Sequence, residues 1–168
     1  MNLRKLIQNK ALQEQYVQTA SKDEVRATVL NILTYAEECI ERLNNNPSED
    51  DQIMQDLALR ALFFFLNQIA EERMKQADEV NESEREGAIA GIKEDFELIV
   101  RFCDSPEQLR QYFFKCSSER VFEIAAMAAV SFTGGNPGIE RVKENAEERR
   151  MLCFDIVMQG LHYHSTLK

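Results

Sequence analysis

Three glutamates on one predicted helix have the residue type and the spacing that metal chemistry requires. Glu37, Glu38 and Glu41 form an EExxE segment. Residues three and four apart are neighbours on a helix, so Glu37 and Glu38 both lie beside Glu41. Clustered carboxylates on a helix can bind Mg²⁺, which prefers oxygen ligands and keeps several of its waters. A charged helix face exposed to solvent is the alternative explanation of the same pattern.

The EExxE segment also resembles part of an enzyme motif. It is similar to the first half of the motif of the all-α nucleotide pyrophosphohydrolases of the MazG type, and the similarity covers only these few residues. That family carries an ExxD on the following helix, which this chain lacks. The resemblance implies a Mg²⁺-dependent hydrolase in which Glu37, Glu38 and Glu41 act with Asp56 or Glu72 from the next helix.

Half of the chain's six glycines lie in one loop, TGGNPG at residues 133–138. Gly134, Gly135, Asn136 and Gly138 precede a predicted helix, where free backbone N–H groups and the helix dipole favour an anion. The loop lacks the Lys and the Ser/Thr of a phosphate-binding P-loop. A turn that starts the last helix explains the same residues. We expect a flexible functional loop, if the chain has one, at this place.

Cysteine and histidine add no signature of their own. The four cysteines are far apart and form no CxxC pair: Cys39, Cys103, Cys116 and Cys153. We expect them to pack as small apolar side chains in a protein of a reducing compartment. The only two histidines lie two residues apart near the C-terminus, so on a helix they would point to opposite sides.

Most of the negative charge lies in the middle third of the chain. The net charge is −9, and residues 37–97 alone carry six basic and seventeen acidic side chains. Such a field repels nucleic acid and anionic lipid and attracts basic partners. A solvated face that keeps the protein soluble is the alternative. We predict a partner-binding surface of seven acidic residues: Glu71, Glu72, Asp78, Glu79, Glu82, Glu84 and Glu86.

The longest predicted helix, about 49–80, contains the most apolar segment of the chain, LALRALFFFL at residues 57–66. Side chains that follow one another on a helix point about 100° apart, so Phe63, Phe64 and Phe65 cannot share one apolar stripe. A helix that is apolar all round is normally a central one. We predict that this segment is the buried axis of the fold. A ligand cavity lined by the three rings is the alternative.

Capping signals and apolar spacing predict the other helices. The first covers residues 2–19, and the second follows a capping box formed by Ser21 and Glu24. Ser48 is predicted to cap the central helix and Ser83 the helix after it. The inner face of the second helix is predicted from its spacing: Val25, Val29, Ile32, Leu33, Ala36, Ile40 and Leu43.

The C-terminal half is predicted to contain four helices. The first carries a narrow apolar seam in which Ile89, Ile92 and Ile99 recur at helical spacing. Pro106 is expected at the first position of a short helix. An apolar helix at residues 121–132 and a last helix at residues 139–162 follow.

These patterns predict an all-α protein: residues 1–168 form a single domain, a compact irregular bundle of six or seven helices around the central helix. Neither apolar segment is long enough to cross a bilayer, and the first residues contain no signal peptide. We therefore expect a cytoplasmic protein that binds neither membrane nor nucleic acid. A monomer and a homodimer both remain open.

The predicted function is a non-catalytic interaction or regulatory module. Its acidic helical surface would cover a basic surface on another protein, as an adaptor, an inhibitor or an immunity-like protein does, and it would need no cofactor. The alternatives are the Mg²⁺-dependent hydrolase and a small-ligand sensor with an apolar pocket.

Overall fold

The computed structural model describes residues 2–132 and 160–161, and the regular elements within these residues are all α-helices. Gly160 and Leu161 are helical and lie within the predicted last helix. The all-α class is therefore confirmed. Seven helices have both ends within residues 2–132: α1 (Leu3–Gln8), α2 (Lys10–Thr19), α3 (Lys22–Asn45), α4 (Glu49–Glu79), α5 (Glu82–Asp104), α6 (Pro106–Lys115) and α7 (Ser118–Phe132).

The chain divides into two compact units. The N-terminal unit is Met1–Phe65 and the C-terminal unit is Leu66–Lys168. The division falls within α4, which extends over the predicted range and contributes to both units.

The first helix predicted at residues 2–19 is interrupted at Asn9, so that prediction was wrong. Asn9 ends α1 and caps α2, because its side-chain oxygen accepts a hydrogen bond from Leu12 N at 3.1 Å. A short polar side chain can replace the helical hydrogen bond in this way, which the apolar spacing alone does not reveal. The buried Gln13 Nε2 donates to Leu6 O at 2.8 Å and to Ile7 O at 3.2 Å, which satisfies carbonyls at the end of α1.

Helix α3 begins at the predicted capping box. Glu24 N donates to Ser21 Oγ, and Ser21 N donates to the Glu24 carboxylate, both at 3.2 Å. The inner face is buried as predicted from Val25 to Ala36, but Ile40 is 40% exposed and Cys39 is fully buried in its place. A step of three residues from Ala36, rather than four, continues the helical period at this point, so the prediction for Ile40 was wrong.

The first half of α4 supplies much of the core of the N-terminal unit. Ser48 caps this helix, as predicted, by accepting from Asp51 N at 3.1 Å. The ring of Phe65 is fully buried and packs edge-on against Tyr16, with ring centroids 5.9 Å apart. Phe63 and Phe64 are only partly buried. The buried positions within this unit follow one helix face: Met54, Ala58, Ala61, Leu62 and Phe65.

In the C-terminal unit, α7 and α6 both pack against α5. Pro106 occupies the first turn of α6, as predicted. A Cβ atom added to Gly160 would lie 3.1 Å from Phe113 Cγ, so the absence of a side chain lets that backbone approach α6 closely. The core of this unit includes an almost continuous apolar run of α7: Val121, Phe122, Ile124, Ala125, Ala126 and Met127.

Candidate functional site

The seven acidic residues predicted to bind a partner lie on two consecutive helices, on either side of the turn that joins them. All seven are exposed. We call residues 71–86 the acidic hairpin. Four of the seven side chains come from the C-terminal part of α4 and three from the N-terminal part of α5: Glu71, Glu72, Asp78, Glu79, Glu82, Glu84 and Glu86.

The turn of the acidic hairpin is fixed by Asn81. Its Oδ1 accepts from Glu84 N at 3.1 Å, so Asn81 is the N-cap of α5. The predicted cap, Ser83, instead lies inside the first turn and donates its hydroxyl to Asn81 Oδ1 at 2.7 Å. The prediction for Ser83 was wrong because the asparagine two residues earlier is an equally good capping residue.

The acidic residues on the two sides of the turn lie near opposite ends of a helix dipole. Glu82 and Glu84 lie in the first turn of α5, near its positive end, where negative charge is stabilising. Asp78 and Glu79 lie at the negative end of α4, and the last turn of that helix contains no basic residue. Each acidic group there costs about 0.3–1 kcal/mol. The end of α4 is thus electrostatically unfavourable for folding.

The basic residues of the acidic hairpin neutralise little of its charge. Arg85 Nη2 lies 3.4 Å from Asp78 Oδ1, but both side chains are more than half exposed, and such pairs contribute little. Lys75 is exposed. Arg73 turns inward to Asp95. Of the seven acidic side chains, six therefore have no ion pair with a residue in the described part of the chain.

A buried carboxylate is the main polar feature of the C-terminal unit. Asp95, on α5, is 1% exposed. It accepts from Arg73 Nη1 of α4 and, at 2.6 Å, from Arg120 Nη2 of α7. Gly91, one turn before Asp95, lies beside the Arg73 side chain, whose Nη2 would be in ordinary van der Waals contact, at 3.8 Å, with an added Cβ. Two guanidinium groups from different helices thus compensate one buried negative charge.

Arg120 extends this cluster to a fourth helix. Its Nε donates to the Tyr112 hydroxyl of α6 and its Nη1 to the Glu123 carboxylate, both at 3.0 Å. Burial opposes the positive charge of Arg120, but its hydrogen bonds to Asp95, Tyr112 and Glu123 outweigh that effect and raise its pKa. We call Arg73, Asp95, Tyr112, Arg120 and Glu123 the Asp95 cluster.

The sequence contains a signal for Asp95 that none of the predicted motifs includes. Asp95 lies three residues after Ile92 and four before Ile99, so the helical period places it on the apolar seam of α5. A carboxylate at such a position is rarely fully buried unless it is paired. Spacing alone could not identify its partners, because Arg73 and Arg120 lie on other helices.

The residues of the alternative metal site form no metal-binding group within the described part of the chain. Glu38 and Glu41 are exposed and Glu37 is half-buried, and Asp56 forms an exposed ion pair with Arg60 at 3.1 Å. Within residues 2–132 and 160–161, no group of three or more Asp, Glu, His or Cys side chains is placed to hold a metal ion.

Glu38 and Glu41 instead line an open groove of about 440 Å³ at the turn between α3 and α4. Arg42 also lines it, and its Nε donates to Asp51 Oδ1 at 2.9 Å. This cation lies among the carboxylates where a metal ion would have to bind. The other lining residues are polar: Asn45, Asn46 and Ser48.

Cys39 and Cys116 lie in environments that suppress thiolate chemistry. Burial raises the pKa of both thiols. A nucleophilic cysteine requires a lowered pKa, so packing is the better explanation for these two residues. Cys153 and the loop residues Gly134, Gly135, Asn136 and Gly138 lie outside the described residues, as does the side chain of Cys103.

Comparison of the chain with protein-family models, with curated proteins and with solved structures gives no significant match. Among the helices of the described residues, none is at once long enough and apolar enough to cross a membrane. The acidic hairpin and the Asp95 cluster are therefore the features of the molecule from which a function can be inferred.

Proposed function

We propose that the protein is a non-catalytic interaction or regulatory module of the cytoplasm, and that its acidic hairpin binds a basic surface on a partner protein. Such a module would act as an adaptor, an inhibitor or an immunity-like protein. The observation that carries the proposal is the end of α4, where Asp78 and Glu79 oppose the helix dipole and no basic residue shares the turn. Local rules that are broken in this way are typical of functional sites.

The arrangement of the charges supports the same function. Six exposed carboxylates without an ion pair in the described residues leave a strong negative field. Charges of this kind mainly raise the association rate and select partners of opposite charge. The helices already hold the side chains in place, so binding would require little further ordering of the backbone.

The first experiment reverses part of this charge. We expect Glu71→Lys, Glu72→Lys and Glu79→Lys together to reduce the association rate with the partner about tenfold or more at low salt. The fold should be retained, because all three side chains are exposed. The change at Glu79 should even favour α4, since a basic group suits a helix C-terminus.

A matched control carries the same change in net charge at another place. Glu14, Glu38 and Glu41 are exposed residues of the N-terminal unit, and their reversal to Lys should leave the partner bound. The partner is first captured from a host lysate with the wild-type chain and identified by mass spectrometry. Equal capture by wild type and by the hairpin variant would refute the proposal.

A further inference from the structure

The Asp95 cluster connects every helix of the C-terminal unit whose bounds are described. Asp95 belongs to α5, Arg73 to α4, Arg120 to α7 and Tyr112 to α6. The carboxylate at its centre is 1% exposed, whereas the guanidinium side chains of Arg73 and Arg120 are 25% and 29% exposed. The buried charge therefore binds groups on two other helices directly, and Arg120 connects it to a third.

The buried positions of these helices include small residues beside large ones such as Phe113, Ile124 and Met127. Ala70 and Ala77 are the buried alanines of the second half of α4, and Ala125 and Ala126 are fully buried on α7. Gly91 of α5 lies beside the Arg73 side chain. Apolar cores of suitable volume fold before they acquire a unique arrangement. Burial of this apolar surface therefore need not by itself select one register of the helices.

A buried ion cluster has the opposite property. Its net contribution to stability is small, because the desolvation of the ions offsets their attraction, but an arrangement that separates them is strongly disfavoured. Movement of α7 by one helical turn, about 5.4 Å, would remove Arg120 from Asp95 and Tyr112 and leave the buried carboxylate with Arg73 alone.

We propose that the Asp95 cluster is a conformational lock: it selects one register of α4, α5, α6 and α7 without being the main source of stability. The best-attested role of buried polar groups is the selection of register among apolar helices. The lock is independent of the partner-binding function proposed above.

The test replaces the cluster's three central charges by apolar side chains of similar size, Arg73→Met, Asp95→Leu and Arg120→Met. The lock predicts that this triple variant keeps its helix content and its thermal midpoint, but shows more than one amide signal per residue in ¹H–¹⁵N spectra of the C-terminal unit. Signals of the N-terminal unit should stay single. The exposed ion pair between Asp78 and Arg85 provides the control. The double variant Asp78→Asn with Arg85→Gln should show a single amide signal for every residue.

A triple variant with one sharp set of signals would overturn the proposal, because the apolar packing would then suffice to select the register. If overpacking unfolds the triple variant, Asp95→Asn decides the question. If Asp95→Asn shows several amide signals per residue and keeps its helix content, the lock is supported. A single set of signals with only a lower thermal midpoint shows that the cluster stabilises the fold and selects nothing.

Discussion

Among the described residues, the fully buried side chains of the N-terminal unit carry no charge, whereas the C-terminal unit buries the carboxylate of Asp95 against parts of two guanidinium groups. The buried polar side chains of the first unit, Gln13 and Thr28, bond to nearby backbone carbonyls at 2.8–3.2 Å and carry no charge. Its ion pair between Arg4 and Asp50, at 3.1 Å, lies at the surface. In the second unit, Asp95 is 1% exposed and joins two helices through ions.

This difference determines how each interior should respond to substitution. Apolar burial contributes in proportion to the area removed from water, so its loss is graded. An ion cluster in a low-dielectric interior is satisfied only when all its members are present. The N-terminal unit should therefore tolerate small changes, and the C-terminal unit should respond sharply to the loss of one charge.

The largest effect is expected for Asp95→Leu. This change leaves the guanidinium groups of Arg73 and Arg120 without their shared anion, which should cost about 3–5 kcal/mol. Urea unfolding followed by circular dichroism measures this cost. Asp78→Leu removes an exposed carboxylate and should change stability by less than about 1 kcal/mol. Similar losses for both variants would show that the buried ions of the C-terminal unit are not special.

Ile32 tests whether the apolar interior responds gradually. It is fully buried on α3, so Ile32→Val should cost about 1 kcal/mol and Ile32→Ala about 2–4 kcal/mol. The same urea titrations provide the values. If Ile32→Val cost as much as Asp95→Leu, the contrast between the two interiors would be lost.

Gly160→Ala tests the close contact between that residue and α6. The added methyl group would lie 3.1 Å from Phe113 Cγ, and overpacking of this kind costs about 1–3 kcal/mol. Phe113→Ala removes two of the three contacting atoms, Cγ and Cδ2, so Gly160→Ala should cost less in that background than in the wild type. Equal stability of Gly160→Ala and wild type would contradict the contact. Gly87→Ala is the control, because nothing lies within 4 Å of its added Cβ.

The helix caps should matter about equally in the two units. Ser21 caps α3 and Asn81 caps α5 through hydrogen bonds of 3.2 and 3.1 Å. Replacement of either by Ala should lower stability by about 1 kcal/mol. Ser83→Ala should have a smaller effect than Asn81→Ala, and thermal melts of the three variants compare them. If Ser83→Ala lowered stability more than Asn81→Ala, Ser83 would be the main cap of α5, as the sequence predicted.

The smallest effect on stability concerns the thiol of Cys39. Burial raises its pKa above that of the unfolded chain, which is about 8.5. Its contribution to stability is therefore complete below that pH and is lost as the pH rises further. We expect slow labelling of Cys39 by a thiol reagent at pH 7, located by peptide mass spectrometry, and a smaller change for Cys39→Ala at pH 10 than at pH 7. Rapid labelling at pH 7 would contradict the buried thiol.

Local signals in the sequence predicted much of the helical structure. The capping box at Ser21, the cap at Ser48 and the position of Pro106 depend on groups within a few residues of each other, and all three were correct. The same local reasoning failed at Asn9, whose side chain interrupts the predicted first helix, and at Ser83, where Asn81 is a second capping residue nearby. A short sequence window does not rank two adequate caps.

The residues of the acidic hairpin could be predicted from the sequence, but their positions relative to the helix ends could not. Charge counts alone predicted an exposed acidic segment here, because acidic side chains are mostly exposed in folded proteins. Asp78 and Glu79 oppose the dipole of α4 because they lie in its last turn. This could be recognised only once the end of the helix was known, and the sequence places helix ends only to within a few residues.

The sequence by itself determined the helices, most of their ends and the excess of negative charge, because these depend on periodicity and on contacts within a turn. Only the tertiary structure decided that Arg73 and Arg120 meet on Asp95, residues 22 and 25 positions away along the chain. The physical reason is that helical spacing shows which side of a helix faces inward but not what it faces. Whether a buried charge is compensated depends on the helices packed against it.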